Sequence, residues 1–149
     1  MTDQNPYDAY LESKILSASP VELIRILYGA ALDSVREARN CLSAGRIAPR
    51  SRAITRAIAI LTELGCSLDH GKGGELSRTL AELYDYMERR LIVANQEQSD
   101  TPLAEVLGLI ENLSDAWRAV AAPAGDTSAN PKSFLPKATP AYTGQSWSL

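Results

Sequence analysis

Side chains that commonly build catalytic and metal sites are scarce in this 149-residue chain: it holds one histidine and two cysteines. Cys41 and Cys66 lie far apart and form no CxxC, which argues against a disulfide framework or a zinc site. Both read as small buried hydrophobes. The histidine, His70, sits beside Asp69 in a glycine-rich turn with no nucleophile nearby, and reads as a solvated turn residue. Positive charge is also short. The net charge of −3 argues against general nucleic-acid binding, which leaves a basic footprint, and against a polybasic membrane anchor. No run approaches the roughly 20 apolar residues of a membrane span. Met1–Pro6 lacks the basic start and apolar core of a signal peptide, so the expected location is the cytoplasm. With one Phe and two Trp, the core must be largely aliphatic.

What is present is helical periodicity. A composition of 45% hydrophobic and 22% charged residues suits one soluble globular domain. Residues 1–16 form a short arm, in which Tyr7, Tyr10, Leu11 and Ile15 recur at helical steps and make one sticky face. Ser19, Pro20 and Glu22 then give a strong start signal: an N-cap, a first-turn proline and a capping-box partner. The first bundle helix runs from about Pro20 to Ala44, ending near Gly45. The second runs from about Pro49 to Leu68. The turn Asp69–Gly74 leads to the third, about Glu75 to Gln98. Asp100 or Thr101 caps the fourth, about Pro102 to Val120. Short turns between long amphipathic helices favour antiparallel neighbours. The predicted fold is therefore all-α: an antiparallel four-helix bundle over residues 17–122 carrying the N-terminal arm. In residues 123–149, Pro123, Pro131, Pro136 and Pro140 are spaced by Gly, Ser and Thr, which predicts a disordered tail.

No constellation meets the requirements of a catalytic site, and no cofactor or metal is expected. Gly71-Lys72-Gly73-Gly74 lacks the spacing and the preceding strand of a phosphate loop. Arg46, Arg50, Arg52 and Arg56 form a basic cluster without interleaved aromatics and read as a solvated face. The carboxylates of the third helix lack the paired ExxH pattern of di-metal bundles. Two helices, however, carry more apolar surface than a single bundle stripe requires. The first is apolar nearly all round in its opening turns, and the third places Tyr86 and Val93 off its main stripe. A core helix packed on two sides would absorb such a surplus, and so would a groove for a partner's amphipathic segment. The candidate groove residues are Leu23, Ile26, Tyr28, Ala30, Tyr86 and Val93. The arm residues Tyr7, Tyr10, Leu11 and Ile15 are expected to cover that groove, over a surface shared by the first and third helices, when no partner is bound.

Two separated segments resemble one known family. Ser17-Ala18-Ser19-Pro20-Val21-Glu22-Leu23-Ile24, followed by Leu27-Tyr28-Gly29-Ala30, is similar to the ASPxELI…LYDGA signature of the flagellar export chaperone FliS. Leu68-Asp69, Gly73-Gly74-Glu75, Leu83-Tyr84-Asp85-Tyr86-Met87 and Ala94-Asn95 resemble its LD…GGE…LYDYM…AN segment. Glu105-Val106 and Ala116-Trp117 match its last helix. The resemblance covers residues 5–120. Gly29-Ala30 departs from it, because the family often has Asp-Gly there. The resemblance implies a non-enzymatic cytoplasmic chaperone that binds the C-terminal disordered segment of flagellin, prevents its premature polymerisation and presents it to the export gate protein FlhA. The competing reading is a regulatory helical adaptor for a different protein. The oligomeric state stays open, a weak homodimer included.

Overall fold

The start signal at Ser19 operates as its sequence suggests. Ser19 is extended, at φ −71° and ψ 165°, and its side chain accepts a hydrogen bond from the Glu22 amide at 3.2 Å. Pro20 fills the first helical position, where its missing N–H costs nothing. The computed structural model describes residues 6–17 and 19–120, with the side chains of 14–17 excepted. The Ile15 side chain and the tail 123–149 thus lie outside the described residues.

Among the described residues there are five helices: α1 Pro6–Ser17, α2 Pro20–Ser43, α3 Ile47–Cys66, α4 His70–Glu97 and α5 Asp100–Val120. α2 ends where Gly45 takes φ +73°, a left-handed conformation that glycine adopts without the steric cost of a Cβ. α3 begins two residues earlier than its proline suggests. Pro49 is tolerated inside the first turn because the amides there have no intrahelical acceptor. The α3–α4 turn differs more. Asp69 caps a helical turn that already starts at His70, accepting from the Lys72 amide at 3.0 Å. The chain then kinks at Gly74, at φ 57° and ψ −128°, before α4 continues. The glycines therefore serve a capped turn and a kink inside one element, where the sequence suggests a loop.

α2 packs on α3 and α5, and α4 packs on α3 and α5. The helices follow one another round a square, with α2 and α4 on a diagonal. Two ties show that α2 and α5 run antiparallel. The Trp117 indole donates to the Val21 carbonyl at 3.3 Å at one end, and Arg39 grips Asp100 at 2.7 and 2.8 Å at the other. The core between the helices is aliphatic, with Ile24, Val35, Leu61, Leu64, Leu91, Leu103, Val106 and Ile110 all at 2% exposure or less. On the diagonal, the Tyr28 and Tyr84 hydroxyls meet at 2.6 Å in the buried interior.

Several family-like motif residues serve this architecture. Ala94 is buried, and the Asn95 carboxamide oxygen accepts from Arg50 Nε at 3.0 Å and Ser51 Oγ at 3.1 Å, clipping α4 to the start of α3. Arg50 is consequently only 5% exposed. The cluster Arg46, Arg50, Arg52 and Arg56 is thus no uniform solvated face: Arg46 and Arg52 are exposed, Arg50 is buried and Arg56 is half-buried. Cys41 is buried as expected; Cys66, expected inside, is exposed. No described helix is long and apolar enough to cross a membrane. Among the described residues no group of three or more His, Cys, Asp or Glu is placed to hold a metal ion.

Candidate functional site

The first helix is held differently from the other four. α1 touches chiefly α2, and only sparsely. Its end joins the start of α2 through residues 18 and 19, while Tyr7 near its beginning reaches Asp33. It therefore doubles back along the first half of α2. The Tyr7 hydroxyl donates to Asp33 Oδ2 at 3.2 Å. Asp8 Oδ1 lies 4.0 Å from Arg56 Nε on α3, and Leu11 packs against the edge of the core. The arm thus lies across the outer seam between α2 and α3. Burial, and secondly the neighbouring Asp33 charge, push the Tyr7 phenol up to about 12.

The six candidate groove residues do not share one surface. Leu23 and Ile26 are half-buried on α2. Tyr28 and Ala30 are 3% and 2% exposed, so Tyr28 is a core residue held by its bond to Tyr84 rather than a groove wall. Tyr86, 36% exposed, turns toward α5, where its hydroxyl donates to Glu105 Oε2. Arg90 Nε joins the same carboxylate at 2.7 Å. Together these bonds hold the Glu105 carboxyl below its ordinary range, the Tyr86 hydroxyl being the larger cause. Val93 is half-buried on α4. Because α2 and α4 are diagonal, no outer surface belongs to both. The expected cover over a face shared by these two helices is corrected to a cover over the α2–α3 seam.

Ile26, Ala30 and Ser34 follow at four-residue steps along α2, with Asp33 and Glu37, themselves four apart, beside them on the same side of that helix. The arm lies along this side, with Tyr7 at Asp33. Tyr10 is 59% exposed on its outer side. Asp33, Ser34 and Glu37 were not singled out by sequence reasoning, and Arg56 entered it only as a member of a basic cluster expected to be solvated. Their pairing depends on the α2–α3 register, visible here as the 3.6 Å Arg56–Glu37 contact. An isolated Asp, Ser or Glu within a helical stripe carries no such signal.

Fold and site together define an all-helical bundle protein with a lightly fastened N-terminal helix laid on its surface. The family model for "Flagellar protein FliS" matches residues 3–124, and the chain belongs to this family. The flagellar secretion chaperone FliS of Salmonella typhimurium is 40% identical over 111 residues, covering 74% of this chain and 82% of the relative. That of Bacillus subtilis is 35% identical over 118 residues, 79% of this chain and 87% of the relative. The flagellar secretion chaperone FliSB of Pseudomonas aeruginosa is 33% identical over 107 residues, 72% and 85% respectively.

Proposed function

We propose that the protein binds the C-terminal disordered segment of flagellin in the cytoplasm, prevents its premature polymerisation and delivers it to the export gate protein FlhA. Membership of the secretion chaperone family is the observation that carries this reading. The seating of α1 supports it physically. A 12-residue helix is too short to be stable alone, and here it is held by an edge contact from Leu11 and by half-exposed polar pairs to Asp33 and Arg56. An amphipathic client segment can replace such an element on the α2–α3 seam by offering a longer apolar face. Leu23 and Ile26 are the candidate groove residues best placed to meet it. The protein acts by binding, with no catalytic step.

The test is calorimetric titration of the full chain with the C-terminal segment of its own flagellin at several temperatures. Saturable binding with a large negative heat-capacity change is expected, because apolar surface is buried as the segment orders. No binding to that segment would overturn the reading and return the protein to the class of helical adaptors with another partner.

A further inference from the structure

Beneath the arm lies a buried polar group that the bundle itself leaves unused. Ser34 is 1% exposed, and among the described residues its Oγ has no hydrogen-bond partner. Buried hydroxyls are nearly always paired, because leaving one unmet is destabilising. Alanine would fill the same place on α2 without that cost. Ser34 lines a cavity of about 230 Å³ together with Tyr7, Asp33, Glu37 and Arg56.

The contacts around this cavity fall into two kinds. Some belong to the bundle: Arg56 Nη1 lies 3.6 Å from Glu37 Oε1, and Arg36 Nη1 lies 3.7 Å from Asp33 Oδ1. Others come from the arm, namely the Tyr7 hydroxyl on Asp33 and Asp8 beside Arg56. If the arm lifts, the bundle retains an acceptor in Asp33, donors in Arg56 and, at the buried wall, a Ser34 hydroxyl able to do either. The lining carries Asp33 and Glu37 against Arg56, so an anion entering the cavity is repelled, while a cation would compete with Arg36 and Arg56, which already lie 3.7 and 3.6 Å from these two carboxylates. A single hydroxyl on Asp33 does not also meet Ser34: the Tyr7 hydroxyl occupies that position, and the Ser34 Oγ beside it has no partner among the described residues. A carboxamide is neutral and presents two donors and an acceptor from one planar group.

Resting on the proposed flagellin-binding role, we propose that this cavity is a specificity pocket for one asparagine or glutamine side chain of the client. Its NH₂ group donates to Asp33 where the Tyr7 hydroxyl now does, and its carboxamide meets the Ser34 hydroxyl at the buried wall. Tyr7 is then the internal stand-in for that client group. This explains why the arm is fastened at Asp33 through a hydrogen bond.

The experiment is a double-mutant cycle by calorimetry, using the full chain and the flagellin C-terminal segment. Ser34→Ala and the milder surface change Asp33→Asn are each titrated with the native segment and with segments in which each Asn and Gln is replaced by Leu. Ser34→Ala is expected to weaken binding about tenfold, the worth of one good hydrogen bond, without lowering the melting temperature. One client carboxamide should show a similar loss that largely disappears in the Ser34→Ala background. Asp33→Asn should lose affinity through the same client position. Wild-type binding that Ser34→Ala leaves unchanged, or the absence of any carboxamide coupled to Ser34, overturns the pocket while the flagellin-binding role stands. A wild-type chain that fails to bind the segment overturns both.

Discussion

The Tyr28–Tyr84 pair shows how one residue's role depends on a helix distant in sequence. Both tyrosines fall in family-like LY motifs, and both are buried, with their hydroxyls 2.6 Å apart across the bundle. Tyr84→Phe should cost about 1–2 kcal/mol, since it removes a buried hydrogen bond and leaves the Tyr28 hydroxyl less well satisfied. Urea unfolding would show this as a lower midpoint at unchanged slope. Gly29 predicts the opposite sign. It lies inside α2, and a Cβ built there meets nothing within 4 Å. Gly29→Ala should raise stability by roughly 0.5–1 kcal/mol in the same assay, because glycine is entropically costly in a helix interior. Helical period places Ile24, Val35, Leu91 and Ile110 on the inward stripes of their helices, and each is buried. It could not show that Leu83, on the same sequence stripe as Met87, would be only half-buried. Periodicity fixes the angles between side chains on one helix and says little about how far a neighbour extends over them. Leu83→Ala is accordingly a gentler substitution than truncation of a fully enclosed leucine.

At the scale of the element, the local signals were the most legible. The Ser19 cap, the break at Gly45 and the restart near Pro102 are written in residues whose backbone and side-chain preferences act within a few positions. The α4 start was read less well, because Asp69 and the following glycines encode both a cap and the Gly74 kink. α1 tests the electrostatics of docking. Its Tyr7 phenol is pushed up to about 12, first by burial and then by Asp33, from the ordinary value of 10.0. Ionisation is therefore harder with the arm docked than with it released. Docking retains its full contribution below pH about 10 and loses it as the pH rises through about 12. Ultraviolet phenolate titration of the wild type minus that of Tyr7→Phe should give a component with its midpoint near 12. A component near 10 would mean that the arm does not hold Tyr7 against Asp33.

At the scale of the whole molecule, the sequence pattern supported a four-helix bundle with an added N-terminal helix, and the described residues form one. The pattern could not give the circular order of the helices. The surplus apolar faces of α2 and α4 suggested one groove between them, yet these helices stand on a diagonal and meet only inside. What the arm covers is the seam between α2 and α3, whose polar members become a cluster only once the register brings Glu37 to Arg56. The central claim is that flagellin's C-terminal segment takes the arm's place on that seam. Hydrogen exchange of the full chain, free and saturated with the segment, tests it most directly. Amides of residues 7–13 should be weakly protected in the free protein and lose protection on binding, while amides in the facing parts of α2 and α3 become more protected. Arm amides that keep or gain protection in the saturated complex would contradict the account.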